Sequence, residues 1–228
     1  MAAELAGVLR QTGLLRTLPA ADLATIAAAS RLRTFRRGQV VFSAGDPGDS
    51  LIVVVSGRVK VAVRSADGAE LTLTVIPAGG VFGELSVADN GPRSADAETL
   101  EQSRLLLIPR ETIQQVCARQ PALAQALTGA LAATLRRLTE AASDLVFLDL
   151  PRRVAKVLLG QPRGADGLIR CTLTQQELSH QAGSTRQSVN AALRGFERRG
   201  WVRARDRVVT VRQETELSRF ARDEMSGS

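Results

Sequence analysis

Two stretches of the chain hold side chains whose types and spacing could do chemistry. The first is GELSVADNGPRSA, residues 83–95, in which a Gly-Glu pair and an Arg-Ser pair flank an acidic loop containing Asn, Gly and Pro. One carboxylate, one guanidinium, one hydroxyl and two turn formers held close together suit a pocket for a small charged ligand. A charged surface turn is the alternative. A guanidinium is a planar fork of donors, so an Arg-Ser pair suits a phosphodiester. An arginine buried in such a place needs an anion.

The second stretch is TLTQQELSHQAGSTRQSVNAALRGFERRGWVRARDRVVTV, residues 172–211. Thr174 and Glu177 have the spacing of a capping box, which starts a helix at 175 that Gly183 ends after Ala182. Ser184 and Gln187 repeat the pattern and start another helix at 185. Two helices joined by a short Gly-containing turn make a helix-turn-helix. On the second helix Val189, Ala192, Leu193 and Phe196 share one face, while Arg186, Asn190 and Arg194 recur on another with Gln187 beside them. Those side-chain types read guanine and adenine edges in a major groove. Trp201–Ala204 and Arg207–Val211, around Arg205-Asp206, read as a β-hairpin. It forms a basic wing whose arginines could hold a phosphate backbone.

The charge agrees with that placement. The 228 residues carry a formal net charge of +7. Residues 1–150 hold 15 Lys+Arg against 15 Asp+Glu, and residues 151–228 hold 15 against 8. All the excess lies in the last third, the footprint of a polyanion partner. Nucleic acid is the first candidate, an anionic membrane surface the second and a solvated arginine-rich face the third. The N-terminus shows no basic segment leading into an apolar run, so no signal peptide is expected. The longest apolar run, Leu51–Val55, is far short of the roughly 20 residues that span a bilayer. Cys117 and Cys171 lack metal-ligand spacing, and a reducing cytoplasm is the simplest compartment.

The elements that must position these side chains follow in order. Residues 4–30 carry helical patterning, with Leu5, Val8 and Leu9, then Leu23 and Ile26. Val40–Phe42, Leu51–Val55, Arg58–Arg64 and Leu71–Ile76 are short β-type runs. In Arg58–Arg64 the apolar positions 59, 61 and 63 alternate, a strand with one face buried. Asp67-Gly68 marks a hairpin, and the regular glycines imply an antiparallel sandwich or roll to about Ile108. Helical patterning returns over about 111–148. There Leu131, Leu135, Leu138, Ala142 and Leu145 step by four and three, a heptad seam suited to a homodimer or to packing within one chain. Asp149-Leu150-Pro151 ends that helix and sets the domain boundary. Residues 213–228 read as a short frayed tail.

FGELSVADNGPRSA (82–95), VFLDLPRRVAKVLL (146–159) and LTQQELSHQAGSTRQSVNAALRGFERRGWV (173–202) together resemble the cAMP receptor protein/FNR (Crp/Fnr) family of transcriptional regulators. The resemblance covers nearly the whole chain. It implies an α+β protein with three parts: a cyclic-nucleotide-binding β-roll, jelly-roll-like, a long dimerisation helix, and a C-terminal winged helix-turn-helix. Residues 1–148 would form the first domain with its helix, and 149–228 the second. It also implies roles. Gly83 offers a backbone amide to the ligand, Glu84 takes the ribose 2′-hydroxyl, and Arg93 and Ser94 take the cyclic phosphate. Val61, Leu73 and Thr74 line the purine. In cAMP-responsive members polar residues of the long helix reach the adenine, and the matching positions are Leu138 and Thr139. Thr139 can hydrogen-bond; Leu138 cannot.

The expected effector is therefore cAMP. The alternatives are cGMP, a cyclic dinucleotide, or DNA binding without any nucleotide. Arg186, Gln187 and Asn190 are expected at base edges, and Ser184 and Thr185, at the helix start, at phosphates. Gln187 stands where many members have Glu, and Ala191 where the cAMP receptor protein has a second arginine, so the half-site of that protein does not carry over. Expected partners are double-stranded DNA, a second copy of the chain and RNA polymerase. No metal, haem or iron–sulfur cluster is expected: a cluster needs four cysteines, and the one histidine, His180, lies in the helix-turn-helix. No phosphate-binding loop or catalytic triad pattern marks an enzyme.

Overall fold

The computed structural model describes residues 2–222. They form two units that divide after Leu138. In the first, α1 (Ala2–Gln11) and α2 (Ala20–Ala29) precede β1 (Arg31–Phe35), β2 (Val40–Phe42), β3 (Ser50–Ser56), β4 (Arg58–Arg64), β5 (Glu70–Pro77) and β6 (Val81–Phe82). The short helix α3 (Glu84–Asp89), β7 (Asp96–Thr99), β8 (Ser103–Pro109), α4 (Arg110–Arg119) and α5 (Pro121–Phe147) follow. α5 runs on beyond the first unit.

The strands make two antiparallel four-stranded sheets, ordered β1-β8-β3-β6 and β2-β7-β4-β5. The unbroken apolar run of β3 is explained by burial on both faces. Ile52 and Val54 enter the layer between the sheets with Phe35, Val59, Phe82, Ala97 and Leu105. Leu51 and Val53 face a second layer with Leu9, Leu23, Ile26, Ile113 and Leu123 of the helices. Alternate side chains of a strand point to opposite faces, so a strand covered on both sides has no polar position to spare.

The alternation expected in Arg58–Arg64 is broken. Val59 and Ala62 are buried, whereas Val61 and Val63 are only half-buried. β4 pairs with β7 in an unbroken register, but its ladder with β5 has a bulge: Val61 pairs with Thr74 and Ala62 with Thr72, so β5 carries one extra residue there. A bulge bends the strand that carries it and re-aims that strand's side chains, here those of β5. The hairpin turn at Asp67-Gly68 is present, with Gly68 at φ +85°.

The helix expected over about 111–148 is two helices. Gln120 leaves helical geometry at φ −126° and ψ 85°, and α5 restarts at Pro121. Proline disfavours helical backbone in the residue before it and suits the first helical position. Along α5, Leu123 and Leu127 are buried, while Leu135, Leu145, Val146 and Phe147 stay exposed.

The second unit holds α6 (Leu150–Leu159), β9 (Arg170–Cys171), α7 (Gln175–Ala182), α8 (Arg186–Arg198), β10 (Val202–Arg205), β11 (Val208–Val211) and α9 (Glu214–Ala221). Asp149 caps α6 by accepting from the Arg152 amide at 3.0 Å. One core joins Val154, Leu158, Leu178, Val189, Leu193, Phe196 and Leu217. The tail expected at 213–228 is ordered helix through Ala221, and its last six residues lie outside the described residues. Leu217, Phe220 and Ala221 fall on one face of α9 and pack on the core, and the Phe220 ring sits 5.4 Å from that of Trp201. The wing turns at Asp206-Arg207, one residue later than expected, because both adopt positive φ (51° and 64°). Two such residues make the hairpin turn that matches strand twist. β9 adds a third strand to the wing through β11.

Candidate functional site

In the first unit the segment 83–95 folds over the end of β3. Gly83 sits at φ +83°, where a Cβ would lie 2.4 Å from Arg93 Nη1. Glycine is required both for that backbone and for that approach. The segment is clamped by its backbone: the Gly45 amide donates to the Arg93 carbonyl at 2.8 Å, and the Arg93 amide to the Asp46 carbonyl at 2.9 Å.

Arg93 is the decisive group. It is only 4% exposed. Its Nη2 donates to the Ser50 carbonyl at 2.8 Å and the Ser50 hydroxyl at 3.1 Å, and Nη1 to the Gly83 carbonyl at 3.3 Å. The guanidinium carbon lies 4.3 Å from the Phe42 ring centroid. Its Nε has no hydrogen-bond partner among the described residues. The carboxylate paired with it, Asp49, is 3.9 Å away with a side chain 77% exposed. Burial lowers the Arg93 pKa, and Asp49, Asp46 and Glu84 offset that only in part. A buried cation normally has a close anion. Here the nearest carboxylate is exposed and lies at the outer limit of an ion pair.

The cavity beside Arg93 measures about 190 Å³ and is lined by Val61, Leu73, Thr74, Gly83, Glu84, Arg93, Ser94 and Leu138, among others. Eight of the nine expected ligand residues thus share one cavity. Thr139 begins the second unit and is not in that lining. The β5 bulge explains how Leu73 and Thr74, adjacent in sequence, both reach the cavity. From α5 come Ala130, Thr134, Arg137 and Leu138, at helical spacing on one face. The Glu84 carboxylate accepts from the Thr134 hydroxyl at 3.3 Å. Phe42, Ser50, Thr134 and Arg137 are the residues that sequence reading missed. Thr134 stands one turn before Leu138 and could have been found by that spacing. Ser50 carries no local signal.

In the second unit the helix-turn-helix is built as its caps direct. The Thr174 hydroxyl accepts from the Glu177 amide at 3.2 Å, and the Glu177 carboxylate accepts from the Thr174 amide at 2.7 Å. The cap of α8 is Thr185 rather than Ser184: its hydroxyl accepts from the Ser188 amide at 3.2 Å. Ser184 is engaged in ending α7, where its amide donates to the Ser179 carbonyl at 3.0 Å. Gly183 at φ +61° makes that reversal possible. Arg186, Gln187 and Arg194 are exposed on α8, and Asn190 is half-buried between them. Gln175, also missed, accepts at one oxygen from Arg186 Nε (3.2 Å) and Asn190 Nδ2 (2.9 Å). It holds two of the expected base-reading side chains. Glu197 accepts from the Ala204 amide at 2.8 Å, which ties α8 to the wing. His180 contacts the Gln176 side chain one turn before it on α7.

Residues 32–120 match the family described as Cyclic nucleotide-binding domain, and residues 152–220 the family described as Crp-like helix-turn-helix domain. The chain is 36% identical over 223 residues to the CRP-like cAMP-activated global transcriptional regulator of Mycobacterium tuberculosis, covering 94% of this chain and 99% of that protein. It is 33% identical to the Cyclic AMP receptor protein of Thermus thermophilus, over 83% of this chain and 87% of that one. The solved structure of the c-di-GMP responsive global regulator CLP of Xanthomonas campestris superposes with a TM-score of 0.75 at 26% identity, covering 85% of this chain and 99% of that chain. The chain belongs to the Crp/Fnr family of transcription regulators.

Crp/Fnr membership makes this a DNA-binding regulator with a cyclic nucleotide-binding domain, and the two matched segments lie one in each unit. The matched segment 32–120 holds the sheets and the whole of 83–95 but stops before α5, so Thr134, Arg137 and Leu138 are additions from outside it. Among the described residues no helix is long and apolar enough to cross a membrane.

Proposed function

We propose that this regulator is a cytoplasmic homodimer whose DNA affinity is set by cAMP bound beside Arg93. The observation that carries the reading is Arg93 itself: buried, with an unpartnered Nε and its paired carboxylate 3.9 Å away. A cyclic phosphodiester supplies one negative charge and acceptor oxygens of the right kind. Ser94 adds a hydroxyl, and Gly83 a backbone amide. Glu84 accepts from the ribose 2′-hydroxyl, while Val61, Leu73 and Thr74 cover the purine. The names of the relatives from Mycobacterium tuberculosis and Thermus thermophilus support cAMP as the nucleotide.

The output is DNA binding by α8. Arg186, Gln187 and Asn190 meet base edges, Thr185, Ser184 and Arg194 meet the backbone, and RNA polymerase is the downstream partner. The exposed apolar side chains of α5, Leu135, Leu145, Val146 and Phe147, support a dimer seam there. Two recognition helices about one DNA turn apart then match a pseudo-palindrome. Ligand, seam and the Asp149–Pro151 joint follow in chain order, which is the order a two-state switch needs. Isothermal titration with cAMP, with operator binding measured in its presence and absence, tests this. The expected result is nucleotide binding that Arg93→Ala abolishes, with tighter DNA binding when cAMP is present. Equal DNA affinity with and without cAMP removes the switch from the reading.

A further inference from the structure

We propose that Arg137 reads the base of the bound nucleotide, and that it gives the pocket an affinity for 6-oxopurine cyclic nucleotides, cGMP and cIMP, beside cAMP. The inference rests on the cyclic-nucleotide reading of the pocket and goes beyond it to the base. The polar groups of the cavity fix the direction in which a ligand lies. Arg93 takes the phosphate, and Glu84, bonded to Thr134 of α5, takes the ribose. The base then lies against the next turn of α5, where the lining residues are Arg137 and Leu138. Leu138 has no polar atom to offer. Arg137 has a guanidinium that is exposed and forms no ion pair or hydrogen bond among the described residues. It is not a position of the apolar heptad seam, so dimer packing does not account for it. Thr74, the other polar side chain on the purine wall, can donate or accept and does not discriminate between bases.

A guanidinium only donates. Guanine presents two adjacent acceptors, O6 and N7, and an arginine meets both at once; adenine presents N7 beside an amino donor. Hypoxanthine keeps the O6/N7 pair. Arg137 therefore adds a two-point contact to cGMP and cIMP that it cannot make to cAMP.

The test is isothermal titration of cAMP, cGMP and cIMP into the full-length wild type, Arg137→Met and Arg137→Lys, at one salt concentration. Wild type binds all three. Arg137→Met, which keeps the length of the side chain, weakens cGMP and cIMP about tenfold and cAMP less than about threefold. Arg137→Lys keeps the charge without the planar fork and falls close to Arg137→Met in its cGMP-to-cAMP ratio. Equal weakening of all three nucleotides makes Arg137 a general charge and overturns the inference, as does no change. A cIMP affinity that follows cAMP rather than cGMP overturns the O6/N7 contact. Wild type that binds cAMP alone overturns the inference and leaves the cAMP reading standing. Wild type that binds none of the three overturns both.

Discussion

The proposed ligand pocket and the helix proposed to face DNA present charge in opposite ways. The pocket gathers Val61, Thr74, the 83–95 segment and Thr134 from separate parts of the chain, and its cation, bonded to Ser50, is hidden at 4% exposure. The α8 face draws Arg186, Gln187, Asn190 and Arg194 from one helix of 13 residues and leaves its arginines in solvent. The difference follows from the partners. A small anion can be surrounded, so burying one incompletely paired cation creates a strong, selective demand for it. A DNA groove cannot be surrounded, so its readers must project from a rigid rod and stay hydrated until contact.

The comparison breaks most decisively at Arg93. Replacing it by Met should lower cyclic-nucleotide affinity by more than about a hundredfold, since charge-assisted hydrogen bonds to the phosphate contribute several kcal/mol together. The same change removes a buried, incompletely paired charge but also the donors to Ser50 and Gly83, so the two effects oppose each other and thermal stability should change little. Binding by titration calorimetry and melting by circular dichroism check both halves. A protein that loses binding only because it unfolds would show that Arg93 is structural.

On α8 the expected pattern is reversed. Arg186→Ala should weaken operator binding by about 1–3 kcal/mol and relax sequence preference, while nucleotide affinity and melting stay unchanged. Gln175→Ala sharpens this further. Gln175 reaches Arg186 and Asn190 at 3.2 and 2.9 Å, so its loss should cost a few-fold in specific binding and leave non-specific binding alone. Gel-shift titrations on operator and scrambled duplexes separate the two effects. If both duplexes weaken equally, Gln175 is not positioning base readers.

How much of each region could be read in advance follows from the same contrast. Thr174, Glu177 and Gly183 act on residues three to five places away, so the caps and the turn were legible in the sequence, with errors of one residue at Thr185 and at Asp206-Arg207. Those differences fall where two hydroxyl residues stand side by side, and where Arg207, a type with no preference for positive φ, takes the second place of the turn. In the pocket, Glu84 and Arg93 were legible because one short segment carries them. Ser50, Phe42 and Thr134 were not, because only the fold of the sheets and the start of α5 at Pro121 bring them there. The β5 bulge has no composition signal at all, yet it turns Leu73 and Thr74 into the same cavity.

The smallest expected effect comes from an arginine that is the opposite of Arg93. Arg170 is fully paired at the surface: its two terminal nitrogens meet both oxygens of Asp166, at 2.5 and 2.6 Å. The hydrogen bond to Arg170 is the main cause that holds Asp166 down to about 2, and the same bond raises Arg170. A carboxylate whose folded pKa is depressed stabilises the fold above its unfolded pKa, and loses that contribution as pH falls through the folded value. The window here runs from about pH 4 down to about pH 2. Both groups are exposed, and water screens the pair, so the contribution should be slight. Asp166→Asn should therefore shift melting little at pH 7, and the shift should shrink to nothing as pH approaches 2. Melting curves of both proteins across that range give the result. A large shift at pH 7 would mean that a surface pair matters more here than the buried, incompletely paired Arg93. It would also undo the distinction between cations placed for stability and cations placed for a ligand.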